Sequence, residues 1–325
     1  MSRRRFLRLA VTALVATVPV FGLSSDALPQ TRTIKFVVPF QPGGGGDTLS
    51  RLVADHMARA QKLTTVIENR PGAGTTIATE AVARAAPDGN TVLLVANSFV
   101  INPSLKALNY DPHTSFEPIC LLTRSPNAIV VNSASPYRSL TELVAAARAR
   151  PGELTMAFQG PATSQHIGFE KLVRAAGIDL IRVPFTGAAP AVNALLGGHV
   201  ASLFVNYPSA MEQVRAGKLR AIAIASGTRV ASLPDVPSIR QAGYADYKDE
   251  DVWFGFAAPA RTPRETIMQL AEWFTAALRA PEVEPKLAQL EFYPTPVCGT
   301  DFAAYLRQQH EEYGRIVREA NMKAE

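Results

Sequence analysis

The stretch KFVVPFQPGGGGD, residues 35–47, carries the strongest structural signal in the chain. Residues 34–38 are apolar except for Lys35, and three of them are β-branched, which predicts a short buried strand that ends at a proline. Four glycines follow, and helical spacing then predicts a helix over 48–60, capped by Asp47 or Thr48. Glycines leave backbone N–H groups unshielded, and a helix N-terminus favours negative charge. The stretch therefore predicts an anion-binding loop, with a plain tight connection as the alternative.

The sequence does not favour phosphate as that anion. No Gly-Lys-Ser/Thr follows the glycines, so the stretch is not a phosphate-binding P-loop. The acidic residue that follows a dinucleotide-binding fingerprint is not clearly placed either.

Strands and helices alternate along the rest of the chain. This alternation predicts an α/β protein with two stacked units, each a mostly parallel sheet flanked by helices, and ligand sites at the carboxyl ends of strands. The predicted strands are 34–38, 64–68, 91–96, 119–122, 128–131, 154–158, 181–185, 203–205, 221–225 and 252–257. The predicted helices are 48–60, 77–86, 139–150, 167–176, 191–196, 208–215, 264–280 and 302–320.

The N-terminus has the pattern of an export signal. Four arginines precede an apolar run over 9–23, and small residues follow at 25–27, which predicts a signal peptide over 1–27 and a periplasmic location. SRRRFLR, residues 2–8, resembles the twin-arginine motif; a general secretory signal is the alternative. Four of the 33 Lys and Arg and one of the 28 Asp and Glu lie in 1–27, so 29 and 27 remain and the net charge falls from +5 to +2.

The mature sequence excludes several function classes. It has no basic run with interleaved aromatic residues, so we expect no nucleic-acid partner. The five histidines show no zinc-binding spacing, and we expect no metal and no cofactor. No nucleophile motif of the Gly-x-Ser-x-Gly kind occurs, so we do not expect an enzyme. The two cysteines, Cys120 and Cys298, either pair or remain buried thiols.

Several short motifs, taken in their order along the chain, resemble the Bug family, the extracytoplasmic substrate-binding proteins of tripartite tricarboxylate transporters. The most specific are ENRPGAG at 68–74 and LPDVP at 233–237. The others are VPF with GG and Asp47 at 38–47, PDG at 87–89, NP at 102–103, YDP at 110–112, PGEL at 151–154, VPF with Gly187 at 183–187, LGGHV at 196–200 and WFG at 253–255.

The resemblance implies a two-lobed periplasmic-binding fold, type II-like, whose lobes are joined by hinge strands. We expect lobe 1 over 28–127 and 251–325, and lobe 2 over 128–250. It further implies that a monomer captures a small carboxylated ligand between the lobes and delivers it to membrane transporter subunits. The alternatives are a ligand-sensing subunit of a membrane signalling system and a periplasmic hydrolase.

The resemblance also places the ligand on two loops, Phe40 to Asp47 and Gly160 to His166, which grip a carboxylate mainly through backbone groups and ordered waters. Asp47 as a helix cap and His166 as a structural residue are the competing interpretations. The predicted ligand-binding residues are Phe40, Gly43, Gly44, Asp47, Asn97, Ser98, Gly160, Thr163, Ser164, His166, Thr186, Gly187 and Asn206.

The chain departs from the family pattern at three places near these loops. AFQGP at 157–161 replaces the usual entry to the second loop, Ala201 stands where an acidic residue is usual, and Thr186 stands in place of a lysine. The family's pocket therefore transfers to this chain less completely than its fold.

Overall fold

The computed structural model describes residues 31–227 and 230–323, and the predicted signal peptide lies outside them. The strands are β1 (Thr33–Val38), β2 (Thr64–Asn69), β3 (Thr91–Ala96), β4 (Phe116–Asn132), β5 (Thr155–Gln159), β6 (Ile181–Phe185), β7 (Ser202–Asn206), β8 (Leu219–Ile224), β9 (Asp251–Pro259) and β10 (Tyr293–Cys298). The helices are α1 (Gly45–Gln61), α2 (Thr76–Ala83), α3 (Asn97–Leu105), α4 (Leu140–Ala149), α5 (Ser164–Ala176), α6 (Ala188–Leu196), α7 (Met211–Arg215), α8 (Arg264–Leu278), α9 (Glu284–Gln289) and α10 (Gly299–Glu319).

The predicted α/β class is confirmed, and the sheet is mixed. Its strand order is β2-β1-β3-β9-β4-β7-β5-β6, and β8 and β10 also pair with β4. The strands joined by helical crossovers, β1 with β2 and β3, and β5 with β6 and β7, are parallel. All partners of β4 are antiparallel to it, as β9 is to β3. Parallel pairing therefore lies at the two outer parts of the sheet.

Strand β4 runs through both halves of the sheet. The sequence predicted two separate strands, 119–122 and 128–131, and this prediction is wrong because the polar residues between them belong to the strand. Ser125 and Asn127 are fully buried, and each has a side-chain partner that offsets its burial. The first part of β4 pairs with β9 as far as Pro126, and the last part pairs with β7 from Asn127 onward.

A second segment crosses between the halves beside β4. The N–H of Glu250 donates to the Ala225 carbonyl at 2.8 Å, and the next residue begins β9. The Asn127 amide donates to the Glu250 carbonyl at 3.0 Å. Two extended segments therefore join two halves. We call the half with β1–β3, β9 and β10 lobe 1 and the half with β5–β8 lobe 2; the residue limits given above for the lobes stay a prediction.

Each lobe buries apolar side chains on both faces of its part of the sheet. In lobe 1, one core includes α1 and α8, where Phe274 stacks on Phe256 with ring centroids 4.6 Å apart. The other core of lobe 1 includes α3 and α10, and Phe302 is fully buried there. Lobe 2 has one core with α4 and α5 and another with α6 and α7. The cores with α1 and α8, with α4 and α5, and with α6 and α7 each lie within one lobe, whereas the core with α3 and α10 also includes Ala162 and Ile167 of lobe 2.

Three elements of lobe 1 were not predicted: α3, α9 and β10. Pro103 lies inside α3, and a proline within a helical pattern argues against a helix. Strand β10 carries two prolines, which demote a strand in any sequence-based prediction. It lies at the edge, against β4, and Cys298 of β10 forms a disulfide with Cys120 of β4. The structure thereby settles the pairing of the two cysteines.

Candidate functional site

The loops that follow the parallel strands of the two lobes face each other. Strand β9 is antiparallel to both β3 and β4, so β4 runs in the direction of β3, and β7 runs against it. The carboxyl ends of β1–β3 therefore point toward lobe 2, and those of β5–β7 point toward lobe 1. We call this region the interlobe edge; it comprises residues 39–44, 70–75 and 97–98 of lobe 1 and 160–163, 186–187 and 206–207 of lobe 2.

In the first loop, α1 begins earlier than predicted. Gly44 is the N-cap, with no side chain to accept a hydrogen bond, so the assignment of Asp47 or Thr48 as the cap is wrong. The N–H groups of the first turn, from Gly45 to Asp47, have no partner within the helix because no residue precedes them at the required spacing. Gly44 and Gly45 are exposed at the interlobe edge, whereas Gly46 and Asp47 are buried, so of these three donors the Gly45 N–H belongs to an exposed residue.

The buried carboxylate of Asp47 fixes the conformation of this loop. The residue is 2 % exposed, and its carboxylate accepts hydrogen bonds from the Gly43 N–H at 2.9 Å, from Asn69 Nδ2 at 2.8 Å and from Arg51 Nε at 2.9 Å. Burial raises the pKa of this carboxyl, but Arg51, the Gly43 N–H and Asn69 outweigh it and lower the pKa below 3.8. The contacts of Asp47 are those of a loop anchor.

The glycines of the first loop serve different needs. Gly43 has φ +84°, which an L side chain rarely adopts. A Cβ on Gly46 would lie 2.7 Å from Leu94 Cδ2 and 2.9 Å from the ring of Phe40, so glycine there permits close packing. A Cβ on Gly44 would meet nothing nearer than the Gln41 carbonyl at 3.6 Å. Position 43 also has space for a Cβ but its φ opposes one, so a side chain at position 44 meets neither a steric nor a backbone obstacle.

At the end of β3, Asn97 and Ser98 differ in how far their polar groups are already used in hydrogen bonds within the protein. The Asn97 amide donates to the Asp251 carbonyl at 2.9 Å and the Tyr313 hydroxyl at 3.0 Å, and it accepts from the Trp253 N–H at 3.1 Å. Asn97 is therefore fully engaged by lobe 1. Ser98 is half-buried and accepts a hydrogen bond from the Thr75 hydroxyl at 3.1 Å.

The second loop closes over the start of α5. Thr163 is the N-cap, and its hydroxyl accepts from the His166 N–H at 3.2 Å and donates to the Gln159 carbonyl at 2.8 Å. The N–H of Gly160 donates to the carbonyl of Phe185 at 2.9 Å. Ser164 is buried and accepts from the Asn127 amide, so its hydroxyl faces β4.

His166 lies beneath the second loop. Its ring stacks on Phe158 with centroids 4.4 Å apart, and its Nε2 lies 3.7 Å from Glu170 Oε1. Arg182 also binds Glu170, with both bonds at 3.0 Å or less. The Nδ1 atom of His166 is buried and has no hydrogen-bond partner in the described part of the chain. The stacking on Phe158 and the contact with Glu170 give His166 a structural position.

The remaining predicted residues follow β6 or end β7, and they differ in whether their polar groups face the interlobe edge. Gly187 is the N-cap of α6, again without a side-chain cap, and Thr186 beside it is exposed. The Asn206 amide donates to the Ser125 hydroxyl at 3.1 Å and to the Pro126 carbonyl at 3.0 Å, so it fastens β7 to the crossing strand. Thr186 and Gly187 present groups to the interlobe edge, whereas Asn206 is used within the protein.

The predicted residues thus fall into two sets at one edge of the molecule. Phe40, Gly43, Gly44, Ser98, Gly160, Thr163, Thr186 and Gly187 are exposed or half-buried, and Asp47, Asn97, Ser164, His166 and Asn206 are committed to internal contacts. Their assignment as ligand contacts stays a prediction. The sequence did not indicate the uncapped N-terminus of α3, because α3 itself was not predicted.

In the part of the chain that the structure describes, no group of three or more His, Cys, Asp and Glu side chains is arranged to hold a metal ion. Within residues 31–227 and 230–323, no helix has both the length and the apolar character needed to cross a bilayer.

The chain is similar to a known family over most of its length. The family described as "Tripartite tricarboxylate transporter family receptor" matches residues 49–322. Among curated proteins, Protein BugT of Bordetella pertussis is 31% identical, and the match covers 96% of this chain and 99% of BugT.

Solved structures give the same picture. The periplasmic binding protein BugD is 33% identical with a TM-score of 0.79, covering 90% of this chain and 98% of BugD. R. palustris Rpa4515, solved with adipate, is 29% identical with a TM-score of 0.83, covering 90% and 98% of the two chains. MatC from Rhodopseudomonas palustris, solved with bound malate, is 30% identical with a TM-score of 0.78, covering 88% and 99%.

Proposed function

We propose, from the premise that this chain belongs to the tripartite tricarboxylate transporter receptors of the Bug family, that it binds a small carboxylated organic molecule at the interlobe edge. The family is one of periplasmic solute-binding proteins with a two-lobed fold. Two of its members were solved with adipate and malate, both dicarboxylates. Membership supports a binding role, and the ligand class is our proposal.

The observation that carries the proposal is the uncapped N-terminus of α1 at an exposed edge. Gly44 leaves the first-turn N–H groups without a side-chain acceptor, while Asp47 fixes the loop from inside. A carboxylate oxygen placed there accepts hydrogen bonds from these N–H groups, in place of the hydrogen bonds that it accepts from water in solution. Each charge–helix interaction contributes about 0.3–1 kcal/mol when exposed and up to about 2 kcal/mol when partly buried.

Lobe 2 offers a second set of donors across the edge. Gly187 leaves the start of α6 uncapped as well, and Thr186 adds an exposed hydroxyl. Closure of the lobes around the ligand removes water and strengthens both sets of hydrogen bonds, because the local dielectric falls. The binding step needs no covalent chemistry.

We further propose that the protein is exported by the signal peptide at 1–27 and works as a monomer that delivers its ligand to membrane transporter subunits. The support is the basic and apolar pattern of the N-terminus and the transporter named in the family description.

A thermal-shift screen of the mature protein tests the ligand class. We expect adipate, malate or another organic acid to raise the melting temperature, and the matched amides and alcohols to leave it unchanged. At a ligand concentration of 100 times Kd, the stabilisation is about 2.7 kcal/mol. Equal shifts with acids and amides would contradict recognition through a carboxylate.

A variant at Gly44 tests the site. Gly44→Val places a branched side chain at the open position of the loop without contacting the core, so we expect loss of binding with a nearly unchanged melting temperature. Ala60→Val, at the exposed far end of α1, is the matched control and should bind as the unaltered protein does. Unchanged affinity of Gly44→Val would remove the first loop from the site.

A further inference from the structure

A buried ion cluster joins the two lobes beside the interlobe edge. Lys171 on α5 of lobe 2 lies 2.5 Å from Glu250 Oε2 and 3.3 Å from Glu312 Oε1, measured from its Nζ atom. The exposed fractions of these side chains are 9 % for Lys171, 1 % for Glu250 and 21 % for Glu312. Glu312 lies on α10 of lobe 1, and Glu250 lies in the crossing segment. The Lys171 ammonium group of lobe 2 therefore contacts both the crossing segment and lobe 1.

Lobe 1 holds the same carboxylate from its other side. The Tyr313 hydroxyl of α10 donates to Glu250 Oε1 at 2.9 Å, and the Asn97 amide donates to that hydroxyl at 3.0 Å. The Lys171 ammonium also lies 5.7 Å from the centre of the Tyr313 ring. Glu250 is consequently bonded to a cation from lobe 2 and a phenol from lobe 1.

We propose that the cluster of Lys171, Glu250, Glu312 and Tyr313 is a latch that fixes the relative orientation of the two lobes. Rotation of lobe 2 carries Lys171 away from Glu250 or Glu312, and loss of the Glu250 contact leaves a buried carboxylate without its cation. The cost rises abruptly once the contact breaks, so the latch favours discrete orientations over gradual rotation.

The latch lies on the helix that begins at the interlobe edge. Thr163 caps α5 at that edge, and Lys171 lies on the same helix, about two turns further along. A shift of α5 therefore moves the second loop and Lys171 together. Resting on the proposed function, Lys171 is a positioning residue that sets ligand affinity without touching the ligand.

The surroundings leave room for the contact to break. A cavity of about 630 Å³ lies between α5 and α10, and both Lys171 and Glu312 line it. A second ion pair, Arg174 with Glu319, joins the same two helices, but these side chains are 57% and 37% exposed. Exposed pairs contribute little because water and salt screen them. Arg174 therefore offers a control on the same helix, toward the same partner helix.

Interlobe distances in the protein without ligand test the latch. Spin labels on Ala60→Cys in α1 and Ala145→Cys in α4 report on lobes 1 and 2, and both positions are exposed. The native cysteines are joined in a disulfide, so the labels find only the introduced thiols. We expect Lys171→Met to shift or broaden the distance distribution, and Arg174→Met to leave it as in the labelled parent.

Lys171→Met also orphans Glu250, so a folding defect has to be separated from a change of orientation. If that variant does not fold, Lys171→Met combined with Glu250→Gln removes both charges and replaces it in the comparison. A folded variant whose distribution superimposes on that of the parent overturns the proposal. An equal shift in Arg174→Met also overturns it, because the effect would then not depend on burial.

Ligand affinity gives a second measurement with malate and adipate as probes. We expect Lys171→Met to change Kd by about tenfold, which corresponds to 1.4 kcal/mol, with less than a twofold change in Arg174→Met. If the parent protein binds no carboxylate, the proposed function fails while the distance measurement still decides the latch. If the distances shift and Kd does not, the link from latch to affinity is wrong.

Discussion

Replacement of Asp47 by alanine should destabilise the protein far more than replacement of its ion-pair partner. Three donors converge on this carboxylate: the Gly43 N–H, Asn69 Nδ2 and Arg51 Nε, at 2.8–2.9 Å. A hydrogen bond to a charged group contributes roughly 1.5–3 kcal/mol, and the losses overlap when one acceptor serves several donors. We therefore expect Asp47→Ala to cost about 3 kcal/mol. For a chain of this size, at roughly 1.6 °C per kcal/mol, this lowers the melting temperature by about 5 °C.

The control is Arg51→Ala. The Arg51 side chain is 52% exposed, so losing its side of the ion pair should cost about 1 kcal/mol or less. Urea unfolding at neutral pH measures both variants. If Asp47→Ala is no less stable than Arg51→Ala, the loop is not anchored as described.

The pH dependence of Asp47 gives an independent check. Its pKa is lowered in the folded protein, so the stability it contributes is present above 3.8 and is lost as the pH falls through the folded value. The difference in unfolding free energy between parent and Asp47→Ala should therefore shrink in strong acid. A difference that stays constant down to that range would contradict the lowered pKa.

Three further predictions concern the hinge and lobe 1. The disulfide between Cys120 and Cys298 joins residues 178 positions apart. Replacing both cysteines by serine should lower the urea midpoint, with a loss of up to roughly 5 kcal/mol in the free energy of unfolding. An unchanged midpoint would contradict this. Gly255→Ala places a Cβ 2.6 Å from the Cys120 carbonyl and should cost about 1–3 kcal/mol in thermal unfolding, whereas Gly44→Ala should cost less; equal costs would refute the packing argument. Burial, opposed by the Lys171 ammonium, raises the pKa of Glu250 from 4.5 to about 6, so its contribution to stability is present below 4.5 and is lost as the pH rises through 6. Glu250→Gln should flatten that part of the stability–pH curve, and an unchanged slope would refute the assignment.

The residue pattern alone was enough to predict most of the strands and helices, but not α3, α9, β10 or the continuity of β4. The strand 34–38 and the alternation of strands with helices follow from residue patterns within a few positions of each other, and the structure confirms them. The glycine run is part loop and part helix, because α1 begins at Gly45. The motif order was enough to identify the family, which the comparisons confirm. Both the α1 loop and the α5 loop lie at the facing edge because strand direction is fixed by the helical crossovers.

Only the tertiary structure decided which polar side chains form hydrogen bonds within the protein and are therefore not free to bind a ligand. Asn97 resembles a ligand contact at the end of a strand, yet it bonds to Tyr313, 216 positions away in the sequence. Asn206 likewise donates a hydrogen bond to Ser125 of β4. Cys120 of β4 forms a disulfide with Cys298 of β10, 178 positions away in the sequence. A buried amide, carboxylate or thiol needs a partner, and that partner comes from whichever distant segment the fold brings alongside. Local pattern shows where a polar side chain lies along an element, and only the packing of distant elements decides whether it is still available to a ligand.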